Sequence, residues 1–330
     1  MSVPVAGGYG LALVAAVVSF AVTGLLRRYA LARRLLDPPG ERRNHAVPTP
    51  RGGGLSIPLV VLSGYLLLWL SAPSEARQWG GFALGLVMVA GIGWIDDHRP
   101  LSAALRLGVH AAAAAAMALT ARSIGGGPVE MAMAFCAAII LVNVWNFMDG
   151  IDGLATTQAM IVALCALGLA SSAGMAALLA LFVLAGCAGF LPWNFPKARI
   201  FLGDAGSGAL GYAIAGLLVA LAAQGREKAE WLLVPMAAFL VDAACTLLSR
   251  ILKRERWWTA HSQHLYQALA RRRGAHVPVT TAYAIYAIGC MAFTWPLSSL
   301  GGTAAPVATC VVYTVTAMLW WRIRRGALRY

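Results

Sequence analysis

Val129-Glu-Met-Ala-Met-Ala-Phe-Cys-Ala-Ala-Ile-Ile-Leu-Val-Asn143-Val-Trp-Asn146-Phe147 runs on into Met148-Asp149-Gly-Ile-Asp152-Gly-Leu154. The first part is apolar but for one glutamate near its start and two asparagines near its end, and it is long enough to cross a bilayer as one helix, for which about 20 residues suffice. The second part turns sharply polar. Carboxylates at the edge of a greasy segment are costly, and they usually face a cavity, a partner or a substrate. Four more polar runs break the hydrophobic sequence. They are Thr49-Pro-Arg51-Gly-Gly-Gly54, Asp96-Asp97, Phe201-Leu-Gly-Asp204-Ala-Gly-Ser207 and His261-Ser-Gln-His264-Leu-Tyr-Gln267.

The rest of the chain repeats the pattern. Of 330 residues 60% are hydrophobic and 12% charged, whereas a soluble domain is nearer half apolar and about a quarter charged. The pattern predicts an all-α, polytopic integral membrane helical bundle. Eleven spans are expected, near 4–26, 54–72, 80–95, 101–121, 129–147, 155–171, 175–193, 207–223, 231–250, 279–298 and 303–321. Ten remain if the weakest, 80–95, does not cross. The first stretch, from Val3 to Leu26, is a full span and lacks a small-residue cleavage site, so it reads as a helix that stays. The six cysteines all fall inside hydrophobic runs, without metal-site spacing, and read as small packing residues.

Lysine and arginine set the orientation. Of the 26 in the chain, 22 fall in one alternating set of connections and four (Arg77, Arg122, Arg226, Lys228) in the other. The N-terminus is therefore expected in the periplasm and the C-terminus in the cytoplasm. The net charge of +13 belongs to these flanks, where it meets anionic lipid, so no nucleic-acid partner is expected. All five polar runs then fall on the cytoplasmic side. The chain reads as one transmembrane domain, residues 1–330, with active-site loops near 27–53, 96–100, 148–154, 194–206 and 251–278.

Five of the thirteen acids sit in these runs. Clustered carboxylates repel unless a cation or a proton compensates. Oxygen ligands without Cys favour Mg²⁺ or Mn²⁺, and Mg²⁺ completes its shell with water and substrate phosphate. A phosphorylated substrate is the natural partner. Asn143, Asn146 and Asp149 share one face if their helix continues that far. Asp204 stands in a turn before the next span, where Gly206 and Ser207 offer N–H groups to an anion, and an ordinary N-cap reads equally well. Arg51 offers a fork for phosphate. His261 and His264, three apart in basic surroundings, suit phosphate or nucleotide better than zinc. Asp242, inside the ninth span, is a buried structural partner or a functional acid.

Taken in order, these motifs are familiar. Pro48-Thr-Pro-Arg-Gly-Gly-Gly54, Asp96-Asp97 with Pro100-Leu-Ser102, the Asn143 to Leu154 run, Phe201 to Ser207 and the His261 region resemble those of the polyprenyl-phosphate N-acetylhexosamine-1-phosphate transferases, over roughly residues 37–270. That family includes the enzymes that initiate O-antigen, enterobacterial common antigen and teichoic acid, and the translocase that makes lipid I. The resemblance implies a helical bundle in the bacterial cytoplasmic (inner) membrane. It implies transfer of a sugar-1-phosphate from a UDP-N-acetylhexosamine to undecaprenyl phosphate, with Mg²⁺ as cofactor and UMP as product. It implies Asp96, Asp97 and Asp204 as the reaction centre, with Asp204 and Asn146 on the metal. Asn143, Asp149, Asp152, Asn194 and Phe201 would line the nucleotide pocket, and Arg51, His261 and His264 the phosphate side. Asp96 would act as base or as phosphate-positioning group, with a covalent aspartyl intermediate as the rival route. The chain lacks the three adjacent histidines of the lipid I enzyme, so it looks more like an O-antigen-initiating enzyme. Two alternatives fit less well. An intramembrane prenyltransferase would carry Asp-x-x-x-Asp pairs, and a cation-coupled transporter would hold acids at mid-span.

Overall fold

The computed structural model of the chain describes residues 5–38, 47–171, 174–255 and 262–327, with side chains from residue 10 to residue 326. It is helical almost throughout. In chain order the helices are α1 (Val5–Ala32), α2 (Ser56–Ser71), α3 (Pro73–Gln78), α4 (Gly80–His98), α5 (Ala103–Ser123), α6 (Pro128–Phe147) and α7 (Leu154–Leu169). Then follow α8 (Met175–Asn194), α9 (Gly203–Ala222), α10 (Arg226–Leu233), α11 (Ala237–Leu252), α12 (Leu265–Arg273), α13 (Val277–Thr294) and α14 (Ala304–Ala327). Among the described residues ten helical segments are long and apolar enough to cross a membrane. The eleventh expected span is α7, 16 residues long. At about 1.5 Å per residue it is shorter than a hydrocarbon core of about 30 Å, a mismatch that local thinning of the bilayer accommodates. It packs against α8, with its start beside the end of that helix.

One span is bent. Helices α10 and α11 form a single crossing, Arg226–Leu252, interrupted by a 3₁₀ turn at Val234–Met236. Pro235 has no N–H to give the helix ladder, and its own carbonyl accepts instead from Gln158 Nε2 on α7 at 2.6 Å. Among the described residues the one departure from helix and connecting loop is a two-stranded antiparallel ladder, β1 (Leu36–Asp37) against β2 (Thr49–Pro50).

The centre of the bundle is α9. Its apolar window is 83% buried, against 22% for α1, α13 and α14, and α2, α4, α6, α7, α8 and α10 surround it. Lipid gives no hydrophobic drive between helices, so small residues that let backbones approach carry the packing. A Cβ on Gly211 would lie 2.2 Å from the Leu141 carbonyl oxygen of α6, and one on Gly93 of α4 would lie 2.5 Å from the backbone of Asp204 and Ala205.

Three helix ends near the polar runs decide where their acids stand. Helix α4 continues to His98, so Asp96 and Asp97 lie in its last turn. Helix α6 stops at Phe147, so Asp149 does not share a helical face with Asn143 and Asn146. The Met148 N–H closes the last turn on Val144 at 3.0 Å, and two glycines follow at once. Helix α9 begins at Gly203, so Asp204 stands in its first turn and not in a preceding loop.

Candidate active site

The first turn of α9 is built around Asp97. This carboxylate is 3% exposed, and its two oxygens accept the backbone N–H groups of Asp204 (3.1 Å) and Ala205 (3.3 Å). A negative charge on the free N–H groups of a helix start is stabilising, and here it comes from a neighbouring helix. Two glycines make the approach possible. Gly93 lets α4 touch the α9 backbone. Gly203 has φ +75, and a Cβ there would sit 2.5 Å from Asp97 Oδ2.

Asp96, one residue earlier, meets the side chain of Asp204 and not its backbone. It accepts the Leu101 N–H (2.6 Å) and meets Arg106 Nη1 at 3.0 Å. The same Nη1 lies 3.1 Å from Asp204 Oδ2. Asp204 Oδ1 accepts from Asn146 Nδ2 at 2.9 Å, and that amide also reaches Ser207 Oγ at 3.2 Å. Side chains from α4, α5, α6 and α9 therefore converge at one end of the bundle, and a single guanidinium bridges two carboxylates. Arg106 is the member that sequence reasoning missed. It counted only as an orienting charge, although a lone arginine one turn inside an apolar helix was the available signal.

Beside this centre opens a cleft of about 220 Å³. Asp97 and Asp204 form its inner end, and Arg51, Asp149, Asp152, Asn194 and Phe201 line it. Backbone pairing sets one wall. The Phe201 N–H donates to Pro50 O (2.8 Å), Gly53 N–H to Phe201 O (3.0 Å) and Gly54 N–H to Leu202 O (2.9 Å). A Cβ on Gly54 would lie 2.7 Å from the Gly206 Cα. The glycine run is thus a close-packing device that brings Arg51 and Phe201 to the cleft. Buried Asn194 ties the opposite loops together, accepting the Gly153 N–H (2.9 Å) and donating to Ile200 O (3.1 Å). Asp152 accepts the Ala198 N–H at 3.2 Å and lies 3.2 Å from His276 Nδ1. Asp149 is half-buried in the loop after α6. Burial, then repulsion from Asp204, Asp97 and Asp152, pushes its carboxyl well above the usual range.

Comparison with known proteins fits this geometry. The model of glycosyl transferase family 4 matches residues 79–222, the stretch that carries Asp96, Asp97, Arg106, Asn146, Asp149, Asp152 and Asp204. The chain is 29% identical to the decaprenyl-phosphate N-acetylglucosaminephosphotransferase of Mycolicibacterium smegmatis, over 95% of this chain and 88% of that one. It is 31% identical to the phospho-N-acetylmuramoyl-pentapeptide-transferase of a Synechococcus strain, over 69% of this chain and 70% of that one. The chain belongs to the polyprenyl-phosphate N-acetylhexosamine-1-phosphate transferase family. A third relative, the undecaprenyl-phosphate alpha-N-acetylglucosaminyl 1-phosphate transferase of Thermotoga maritima, is 32% identical over 59% of this chain and 60% of that one.

In this transferase Asn143 and His264 lie apart from the cleft. Asn143 turns its amide back to the Ile139 carbonyl of its own helix (2.8 Å), one turn behind Asn146. His264 is 3% exposed and lies at the start of α12, 3.8 Å from Asp242. Its ring stacks with those of Phe147 and Tyr266. His261 lies outside the described residues. From the same segment Gln267 reaches the cleft, as does His276. Neither could be singled out in the sequence, because both arrive through the placement of α12 and α13.

Proposed function

We propose that this protein transfers an N-acetylhexosamine-1-phosphate from a UDP-sugar to undecaprenyl phosphate in the bacterial cytoplasmic (inner) membrane, at a site facing the cytoplasm. The products are undecaprenyl-diphospho-sugar and UMP, and the step initiates O-antigen or another cell-envelope polysaccharide. The observation that carries this reading is the convergence of Asp96, Arg106, Asn146 and Asp204 at the inner end of a cleft lined by Arg51. The names of the relatives support a polyprenyl-phosphate acceptor and an N-acetylhexosamine donor. Similarity over 95% of the chain to an N-acetylglucosamine enzyme, with the run His261-Ser-Gln-His264-Leu-Tyr-Gln267 instead of three adjacent histidines, favours a simple UDP-N-acetylhexosamine over a peptide-bearing donor.

In the proposed step an oxygen of the lipid phosphate attacks the phosphorus that bears the sugar. The bond from that phosphorus to the bridging oxygen breaks, and UMP leaves with the electron pair. Two anions must meet, so cationic groups matter most. Arg51 in the cleft wall and Arg106 beside Asp204 supply fixed positive charge. A phosphate monoester is already largely ionised near pH 7. Asp96 spends both oxygens on Leu101 and Arg106, an arrangement that favours a positioning role over that of a base. The fit to Mg²⁺ is one of donor chemistry. Among the described residues no three His, Cys, Asp or Glu side chains form a ready cage, and Mg²⁺ is usually held by one or two carboxylates plus water and phosphate. Asp204 with Asn146 would hold it, and when bound it would offset charge on the departing UMP.

The test is purified protein with undecaprenyl phosphate, Mg²⁺ and a panel of UDP-sugars, reading UMP. Release with one or more N-acetylhexosamines is expected, and no UMP from any sugar overturns the proposal. Asp96→Ala also decides the role of Asp96. Partial recovery of its activity at high pH would restore the base assignment, and a flat profile is expected.

A further inference from the structure

The most heavily engaged side chain outside the acidic centre is Asp242, in the middle of α11 and fully buried. It accepts from Thr246 Oγ1 (3.2 Å), the N–H groups of Leu265 (2.8 Å) and Tyr266 (3.1 Å), Tyr283 Oη (2.9 Å) and Trp320 Nε1 (3.0 Å). Those donors come from α11, α12, α13 and α14. A buried charge is tolerated only when it is so compensated. Two of the bonds cap the start of α12, as Asp97 caps the start of α9.

The first turn of α12 reaches the cleft. The Tyr266 hydroxyl donates to the Phe147 carbonyl at 2.9 Å, at the end of α6. Gly150 lies directly against this turn. A Cβ on it would be 2.2 Å from the Tyr266 hydroxyl and 3.2 Å from Gln267 Nε2. The loop that carries Asp149 and Asp152 therefore rests on Tyr266 and Gln267, and both are held in register by Asp242.

We propose that Asp242 is a positioning residue for the donor side of the cleft. It touches neither substrate. Through the Tyr266 N–H and the Tyr266 hydroxyl it fixes the Asp149–Asp152 loop, and thereby the affinity for the nucleotide-sugar. The proposal rests on the reading of the cleft as a donor site given above.

The test uses the full chain in lipid nanodiscs, with the UDP-sugar that the wild type turns over and undecaprenyl phosphate varied separately. Asp242→Asn, which removes acceptor capacity, is expected to raise the donor KM by about tenfold or more and to leave the lipid KM within about twofold. Tyr266→Phe keeps the Asp242 cap and removes only the hydroxyl, with its bonds to Phe147 and Gln267. It is expected to give the same split at smaller size, and the double variant should be no worse than Asp242→Asn alone. Equal rises in both KM values, an unchanged donor KM, or additive effects would overturn the role, and Tyr266→Phe decides it alone if Asp242→Asn does not fold. Hydrogen exchange separates this proposal from the donor reading itself. Both variants should speed exchange at residues 148–153 and not in α9, whichever substrates the protein accepts. Unchanged exchange there would reject the positioning role, whereas a wild type inert to every UDP-sugar would reject the donor reading.

Discussion

Arg106 holds one bond to each of two acids that would otherwise repel across the inner end of the cleft. In the proposed reaction an arriving phosphate competes for that guanidinium. Arg106→Ala is expected to lower kcat by about 10²–10³-fold, the usual cost of losing one charge-stabilising donor. Arg106→Lys should recover only part of it, because an ammonium is a point charge without a fork. UMP release under saturating substrates reads both. Asp149 makes a different prediction. Its carboxyl titrates above its unfolded value, so its contribution to stability is fully present below the unfolded pKa and is lost as pH rises through the folded one. The Mg²⁺-free protein should therefore lose melting temperature as pH rises from the ordinary carboxylate range. Asp149→Asn should raise the melting temperature at neutral pH and remove that part of the slope. Thermal scans at several pH values check it, and a slope unchanged in the variant would count against the assignment.

Among the elements, the apolar spans were legible because lipid demands about 20 apolar residues per crossing and leaves that length written in composition. The acids of the centre were legible for a related reason, since Asp96, Asp97, Asp149 and Asp204 are expensive where they stand. What could not be read was which acid meets which helix. Asp97 caps α9 only because Gly93 and Gly203 allow contact across two distant segments, and His264 turns to Asp242 because α12 folds back under α11. Such pairings have no period and no local spacing. The glycines can be tested directly. Gly203→Ala combines a positive φ with a Cβ 2.5 Å from Asp97 Oδ2, and should cost stability by more than about 1 kcal/mol together with activity. Gly289→Ala in α13, where nothing lies within 4 Å, should be neutral or stabilise by up to about 1 kcal/mol. Melting temperatures of the pair check the contrast.

For the whole molecule, the asymmetry of basic residues predicts that the ends of α4, α6, α8 and α11 and the start of α9 share the cytoplasmic face. Single cysteines at Arg271 and at Gly126, in an otherwise cysteine-free chain, should report it. An impermeant maleimide added to spheroplasts should label position 126 and leave 271 unlabelled until the membrane is opened, and the reverse pattern would invert the topology. The enclosure of α9 bears on how such a protein feels its surroundings. Asp204 rides on the most buried of the described spanning helices, while α1, α13 and α14 are the least buried. Changes in bilayer thickness or headgroup then press on the rim and are absorbed there before they reach the acids. In the proposed reaction the membrane supplies one long-chain reactant, and transfer rates should therefore change little between thinner and thicker bilayers that present that reactant equally.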